Sequence, residues 1–359
     1  MGGEATLVES SDMSQAIPPG NKFACLSLKN VFCKYQGEPI RLPNGVAVHV
    51  RPPSSIDHHW LGALETINLQ QLGTINHQQL INSNFLIIAT APSTKPEAVD
   101  NEDEALVRKA LALFHAILMH GVPYHENDEN HQSGLVINGA NLNGHIELRS
   151  LQTLLTCYYR NEVLSLDNPY DFDEKVIRNA GEVASGLISV EAESGSFHRL
   201  KRGIDARIRG VRESNNYHRL HQFVRAIEAL VKPRISKTTK DFVHRCSTFA
   251  VKNKKTQLLL KEIYVLRSAT EHLNDWEAVL ANTSAAEREG LAFLRSYQAE
   301  LLAGHSYIRL LSDRALLKEF TNDNSIEAFW NLQDKERKKR WGKPIDLIKL
   351  ADERHCPPS

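Results

Sequence analysis

The sequence predicts an α+β protein, with a mixed strand and helix domain first and an all-α domain after it. Three observations carry this. Before residue 100 the apolar residues alternate or run in short blocks. From Glu102 they recur at steps of three and four, and after Gly195 that helical period dominates the chain. At 359 residues the chain is longer than one small core usually supports, which agrees with two units.

The first 22 residues have no basic start followed by an apolar core and read as a disordered leader. An α+β domain is expected over 23–160. Phe23 to Leu28 alternates like a strand, and Pro43-Asn44-Gly45 is a hairpin signal before Val46 to Val50. Leu61 to Leu72 and Asn84 to Ala91 read as further strands. Leu106, Ala110, Leu113, Phe114, Ile117 and Leu118 then mark a helix. Acids lie in its first turn, and Gly121-Val122-Pro123 forms its stop. Leu135 to Ile137 and Ile146 to Leu148 suggest two short strands, and Leu151 to Arg160 a helix.

The polar, turn-rich stretch 161–195 is the expected linker. An all-α domain is expected over 196–350. Its first apolar stripe runs from Phe197 through Leu200, Ile204, Leu220, Val224 and Ile227 to a stop at Pro233. Further helices are expected over about 238–251, 256–273 and 284–320.

Composition is ordinary for a water-soluble chain, 42% hydrophobic and 24% charged. No apolar run approaches the roughly 18 residues of a membrane span. The five cysteines are scattered without a CxxC pair, which predicts reduced thiols and a cytoplasmic location. The sixteen histidines form no HExxH and no i, i+4 pair with a well-placed carboxylate, so no metal and no cofactor is expected. The N-terminal half shows no P-loop, GxGxxG or GxSxG.

Charge is uneven. Between Ser196 and His272 there are eighteen lysines and arginines against six acids, a net +12 that leaves −12 for the remainder of the neutral chain. Such separation fits a polyanionic partner, or a basic face that complements the acidic remainder. Lys335 to Arg340 followed by Trp341 is a second basic run. It reads either as a backbone track with Trp341 stacking on a base, or as a solvated helix end.

The helix at 256–273 contains Arg267-Ser268-Ala269-Thr270-Glu271-His272. This resembles the R-x4-H motif of the HEPN superfamily. Phe223 to Leu230, Phe242 to Cys246 and Ile263 to Ser268 are similar to the corresponding helices of its Apea-like group. The resemblance covers about 196–320.

It implies a four-helix HEPN-like fold, homodimerisation and metal-independent endoribonuclease activity of a defence or toxin kind. The alternative it leaves open is a non-catalytic RNA- or nucleotide-binding module with a partner-recruiting N-terminal domain. RNA is the implied partner, and the domain at 23–160 would serve as sensor or regulator. Arg267 and His272 are the implied catalytic pair, with Ser268, Arg219, Arg225 and Arg245 as candidate RNA contacts.

The residue types suit the chemistry. A guanidinium holds phosphate in a charged fork, and an imidazole shuttles the proton of a ribose 2′-hydroxyl. On an ideal helix, five residues place the two side chains about 140° apart. The pair therefore needs a loosened helix near Thr270 or a second chain. Read without the resemblance, Arg267 and Glu271 form an i, i+4 bridge and His272 caps the helix C-terminus.

Overall fold

A computed structural model describes residues 17–31, 33–51, 64, 67, 69–121, 132–156, 172–274, 276, 279–280 and 283–355. The architecture is α+β, as the sequence predicts. Two compact units emerge, one built from residues 1–30, 36–110 and 134–154, the other from 31–35, 111–133 and 155–359. Among the described residues no helix is long and apolar enough to cross a membrane.

The first unit holds the strands β1 (Asn21–Leu28), β2 (Ile40–Leu42), β3 (Val46–Val50), β4 (Phe85–Pro92), β5 (Gln132–Leu142) and β6 (His145–Thr156). They form one sheet in the order β2-β3-β4-β1-β5-β6, with β1 antiparallel to both β4 and β5. The central position of β1 explains its sequence. Phe23, Cys25, Leu86, Ile88, Leu135, Ile137 and Ile146 point to one face and cluster with Leu64, Ile67, Leu72 and Leu80. The alternate residues Ala24, Leu26, Ile87 and Val136 are buried too. A strand covered on both faces reads as a run rather than a strict alternation.

Three expectations for this region need correction. Leu69–Leu72 is a short helix, α1, followed by α2 (Thr74–Ile81), not strand; most of 61–68 lies outside the described residues. The two short strands are a long hairpin, and residues 151–156 extend β6 instead of opening a helix. Asn143 and Gly144 join the hairpin with positive φ (53° and 92°), the conformation a tight two-residue turn requires. The leader ends earlier than expected, because Ile17 is buried and β1 begins at Asn21; residues 1–16 lie outside the described residues.

Helix α3 (Asn101–His120) matches its predicted span and stop. The expected linker is corrected in part. Glu174–Ala192 is a regular helix, α4, capped by Asp173 and burying Ile177, Val183, Leu187 and Val190. Its apolar residues at steps of three and four were masked by a polar first turn. Residues 161–171 lie outside the described residues.

The long stripe predicted from Phe197 to Pro233 is two helices, α5 (His198–Arg212) and α6 (Asn216–Val231). Asn215 interrupts it by accepting hydrogen bonds from the Tyr217 and His218 amides (2.9 and 3.2 Å). Then come α7 (Thr238–Cys246) and α8 (Lys254–Glu271). The expected helix at 284–320 is α9 (Ala285–Leu311) and α10 (Arg314–Lys318), divided where Asp313 caps the second. Finally α11 spans Asp323–Asn331, α12 Asp334–Trp341 and α13 Leu347–His355. Helix α6 is the hub, buried through Leu220, Phe223, Val224, Ile227 and Leu230 and flanked by α5, α7, α8, α9 and α11.

Candidate phosphate-binding cavity

The helical unit contains a cavity of about 580 Å³ between α5, α6, α8 and the start of α11. Helical spacing builds its walls. Arg199, Arg202, Gly203 and Ala206 share one face of α5, and Arg225, Glu228 and Ala229 share one face of α6. Small residues set the floor. A Cβ on Gly203 would fall 1.9 Å from the Tyr307 hydroxyl and 2.6 Å from the Ala229 methyl, so only glycine lets α5 lie this close. The Tyr307 hydroxyl in turn donates to the Ala226 carbonyl of α6 (3.0 Å). His198, Arg267, Thr321, Asn322 and Asp323 complete the lining.

Two of the four lining arginines are tied down. Arg267 donates to Glu228 (2.9 Å) and lies 3.3 Å from Glu271; the Tyr264 hydroxyl donates to the other Glu228 oxygen (3.0 Å). Burial pushes the Tyr264 phenol above its ordinary pKa, and the Glu228 charge adds to this. Glu271 also meets the His221 imidazole at 2.5 Å. That contact, followed by the Arg267 charge, holds its carboxyl below the usual range. Arg199 bonds to Asp323 (3.0 Å), whose carboxyl is likewise lowered.

The other two arginines differ. Arg202 and Arg225, like His198, are exposed and make no ion pair among the described residues. The two arginines leave the mouth of the cavity positive, while both Glu228 oxygens are already engaged by Arg267 and Tyr264 and the Asp323 carboxylate is exposed. Such a site can take an anion at its rim.

The sequence-predicted residues separate accordingly. Arg225 and Arg267 line the cavity. His272 does not: it is exposed, and its amide closes the end of α8 onto the Ser268 carbonyl (3.1 Å). Helix α8 stays regular through Glu271, so no loosening near Thr270 unites it with Arg267 within one chain. Ser268 is half-buried and lies outside the lining.

Arg219 and Arg245 are committed to the interior. Arg219 pairs with Glu300 at 2.5 Å, and its guanidinium stands 5.6 Å from the Phe223 ring centre. Arg245 donates to the Val231 and Lys232 carbonyls (both 2.7 Å) and to Glu327 (3.1 Å). Neither can serve as the exposed RNA contact expected of it. Trp341 is 2% exposed and packs on Phe249, ring centres 4.1 Å apart, so it cannot stack on a base.

Sequence reasoning missed His198, Arg199 and Arg202 as a group. The available signal was two arginines and a histidine beside Gly203 on one helix face. Comparison with protein-family models, curated proteins and solved structures finds no match.

Proposed function

We propose that the helical unit binds the phosphate of RNA or a nucleotide in this cavity. The observation that carries the reading is a pair of arginines, Arg202 and Arg225, that make no ion pair among the described residues and stand on adjacent helices at the mouth of a 580 Å³ cavity. Guanidinium forks suit phosphate oxygens, and a volume of this size suits a ligand of nucleotide scale.

The test is equilibrium binding of a labelled RNA oligomer and of ADP to the full chain. The double variant Arg202→Ala/Arg225→Ala should bind both roughly 10- to 100-fold more weakly, taking one to two units of 1.4 kcal/mol for two lost charged hydrogen bonds. Unchanged affinity for both ligands would sink the proposal.

A second reading keeps the metal-independent endoribonuclease implied by the HEPN resemblance, with Arg267 holding phosphate and His272 as general acid and base. One observation favours it. Leu258 and Val265 lie seven residues apart on the exposed face of α8, and His272 follows at the same interval as the residue that caps the helix. Leu258 is 59% and Leu273 91% exposed, an apolar surface that a second copy can cover. The imidazole would then reach a phosphate from another chain. RNA cleavage in EDTA should be abolished by Arg267→Ala and by His272→Ala, and restored when the two variants are mixed. Binding without cleavage would leave the non-catalytic module alone.

A further inference from the structure

The helical unit carries a second set of unpaired cations, away from the cavity. Helix α12 is held rigidly from below. Arg337, 4% exposed, donates to the Trp330 and Leu332 carbonyls (3.2 and 3.0 Å), to Thr248 (3.2 Å) and to Asp334 (2.7 Å). Arg309 donates to the Trp341 carbonyl at the end of the helix (2.6 Å). Next to it, the Phe249–Val251 segment is stitched to Ile345 by two backbone hydrogen bonds (2.9 and 2.8 Å).

That stitch ties the segment leading into α8 to the segment that follows α12. Lys252, just ahead of α8, acts electrostatically on Asp334, the first residue of α12, and on His244 of α7. The carboxylates of α12 are already occupied: Asp334 by Arg337 and Lys338, Glu336 by Arg340. Lys252, Lys254, Lys255, Lys335, Lys339 and Lys343 remain exposed, and none makes an ion pair among the described residues. None of them lines the cavity.

We propose that these six lysines form a separate docking surface for the phosphate backbone of single-stranded nucleic acid. Lysine suits this role, because a hydrated point charge on a flexible stem tracks a phosphate chain without fixing its sequence. A membrane is the less fitting polyanion. Membrane-surface helices bury large apolar side chains in the lipid. On α12 and over 343–349 no described large apolar residue is exposed, and Trp341 faces the core; on the first turns of α8 Leu258 is exposed (59%), a single side chain rather than the apolar stripe a lipid-facing helix needs.

The inference stands apart from the cavity reading, and one experiment separates them. Binding of a fluorescent single-stranded polyuridylate oligomer to the full chain is measured against salt. The variant set is Lys335→Glu/Lys339→Glu/Lys343→Glu, Lys252→Glu/Lys254→Glu/Lys255→Glu and the cavity double Arg202→Ala/Arg225→Ala. Vesicles rich in phosphatidylserine and a polyglutamate chain serve as competing probes, and thermal unfolding checks that each exposed-site variant stays folded.

The expected result is that each lysine triple weakens oligomer binding at least tenfold. Its slope of log affinity against log salt should flatten by about 2, from some 0.7 per phosphate contact on a single strand. ADP binding should stay unchanged in both triples. If folded lysine variants bind the oligomer like the parent, the inference is wrong. It is equally wrong if vesicles or polyglutamate bind as well as the oligomer and lose that binding in the same variants.

Discussion

Buried and exposed cations do different work in the two units. In the sheet unit, Lys22 has a fully buried side chain and forms ion pairs with Asp100 (2.7 Å), Glu102 (3.2 Å) and Asp103 (3.4 Å). Burial alone would depress its pKa. The bonds to Asp100 and Glu102 and the charge of Asp103 more than offset this, and the pKa lies above the ordinary value. Arg149 joins the same cluster through Asp103 (2.8 Å) and the Ala98 carbonyl (2.8 Å).

At the mouth of the helical cavity, Arg202 and Arg225 make no ion pair among the described residues, although the Arg225 charge adds to the lowering of the Glu271 carboxyl. The difference teaches that a positive side chain points to a ligand only where the fold leaves it unmatched. A net charge of +12 cannot say which of its members those are.

The largest effect should come from within the helical unit itself. Arg219 and Glu300 form a pair in which both side chains are 10% exposed. Arg219→Ala should destabilise the protein by about 3–5 kcal/mol in urea unfolding, because it strands a buried carboxylate. A loss below about 1 kcal/mol would erase the distinction between interior and rim arginines.

In the sheet unit, Lys22→Ala should cost about 3 kcal/mol, near the lower end of the same range. Two of its three carboxylate partners are about half exposed and can recover water. This variant should leave RNA and ADP binding by the helical unit unchanged when measured well below its unfolding temperature.

Acid should act on a histidine in each unit, because burial, with the Arg212 and Arg207 charges, also pushes His115 of the helical unit down to about 4. His49 of β3 is 7% exposed; burial, assisted by the Arg41 charge, pushes its pKa down to about 4. Its neutral form is favoured in the folded state, while the unfolded side chain takes up a proton near pH 6.5. Its contribution is therefore fully present above pH 6.5. It is lost as pH falls from 6.5 towards 4, by at most about 3 kcal/mol. His49→Leu should flatten the fall of the unfolding midpoint across that window. A slope identical to the parent's would mean the imidazole is not held neutral.

How much of this was legible in the sequence depends on how local each determinant is. Helix α3 and its stop, the Asn44-Gly45 hairpin signal and the overall order of strands before helices follow from neighbours a few residues apart. Leu151, Leu154 and Leu155 mimic helical spacing. They belong to β6 because the Asn143-Gly144 turn zips a long hairpin, a pairing that local periodicity does not register. The site divides in the same way. Arg199, Arg202 and Gly203 share a helix face that can be read from their spacing. That Arg219 is neutralised by a residue 81 positions away is a tertiary fact.

The smallest expected effect sharpens the comparison most. Arg202→Ala removes an exposed cation with no partner, so its unfolding free energy should stay within about 0.5 kcal/mol of the parent. Its affinity for RNA and for ADP should nonetheless fall severalfold, since a ligand phosphate would be the partner that the folded chain does not supply. Arg219→Ala should show the opposite pattern, a large loss of stability with ligand affinity preserved in the fraction that stays folded. The two arginines lie on adjacent helices and are chemically identical. Arg219 is buried against Glu300 and the Phe223 ring, whereas Arg202 is exposed. If both substitutions move stability and affinity together, the separation between structural and ligand-facing arginines fails, and the cavity loses its claim as a phosphate site.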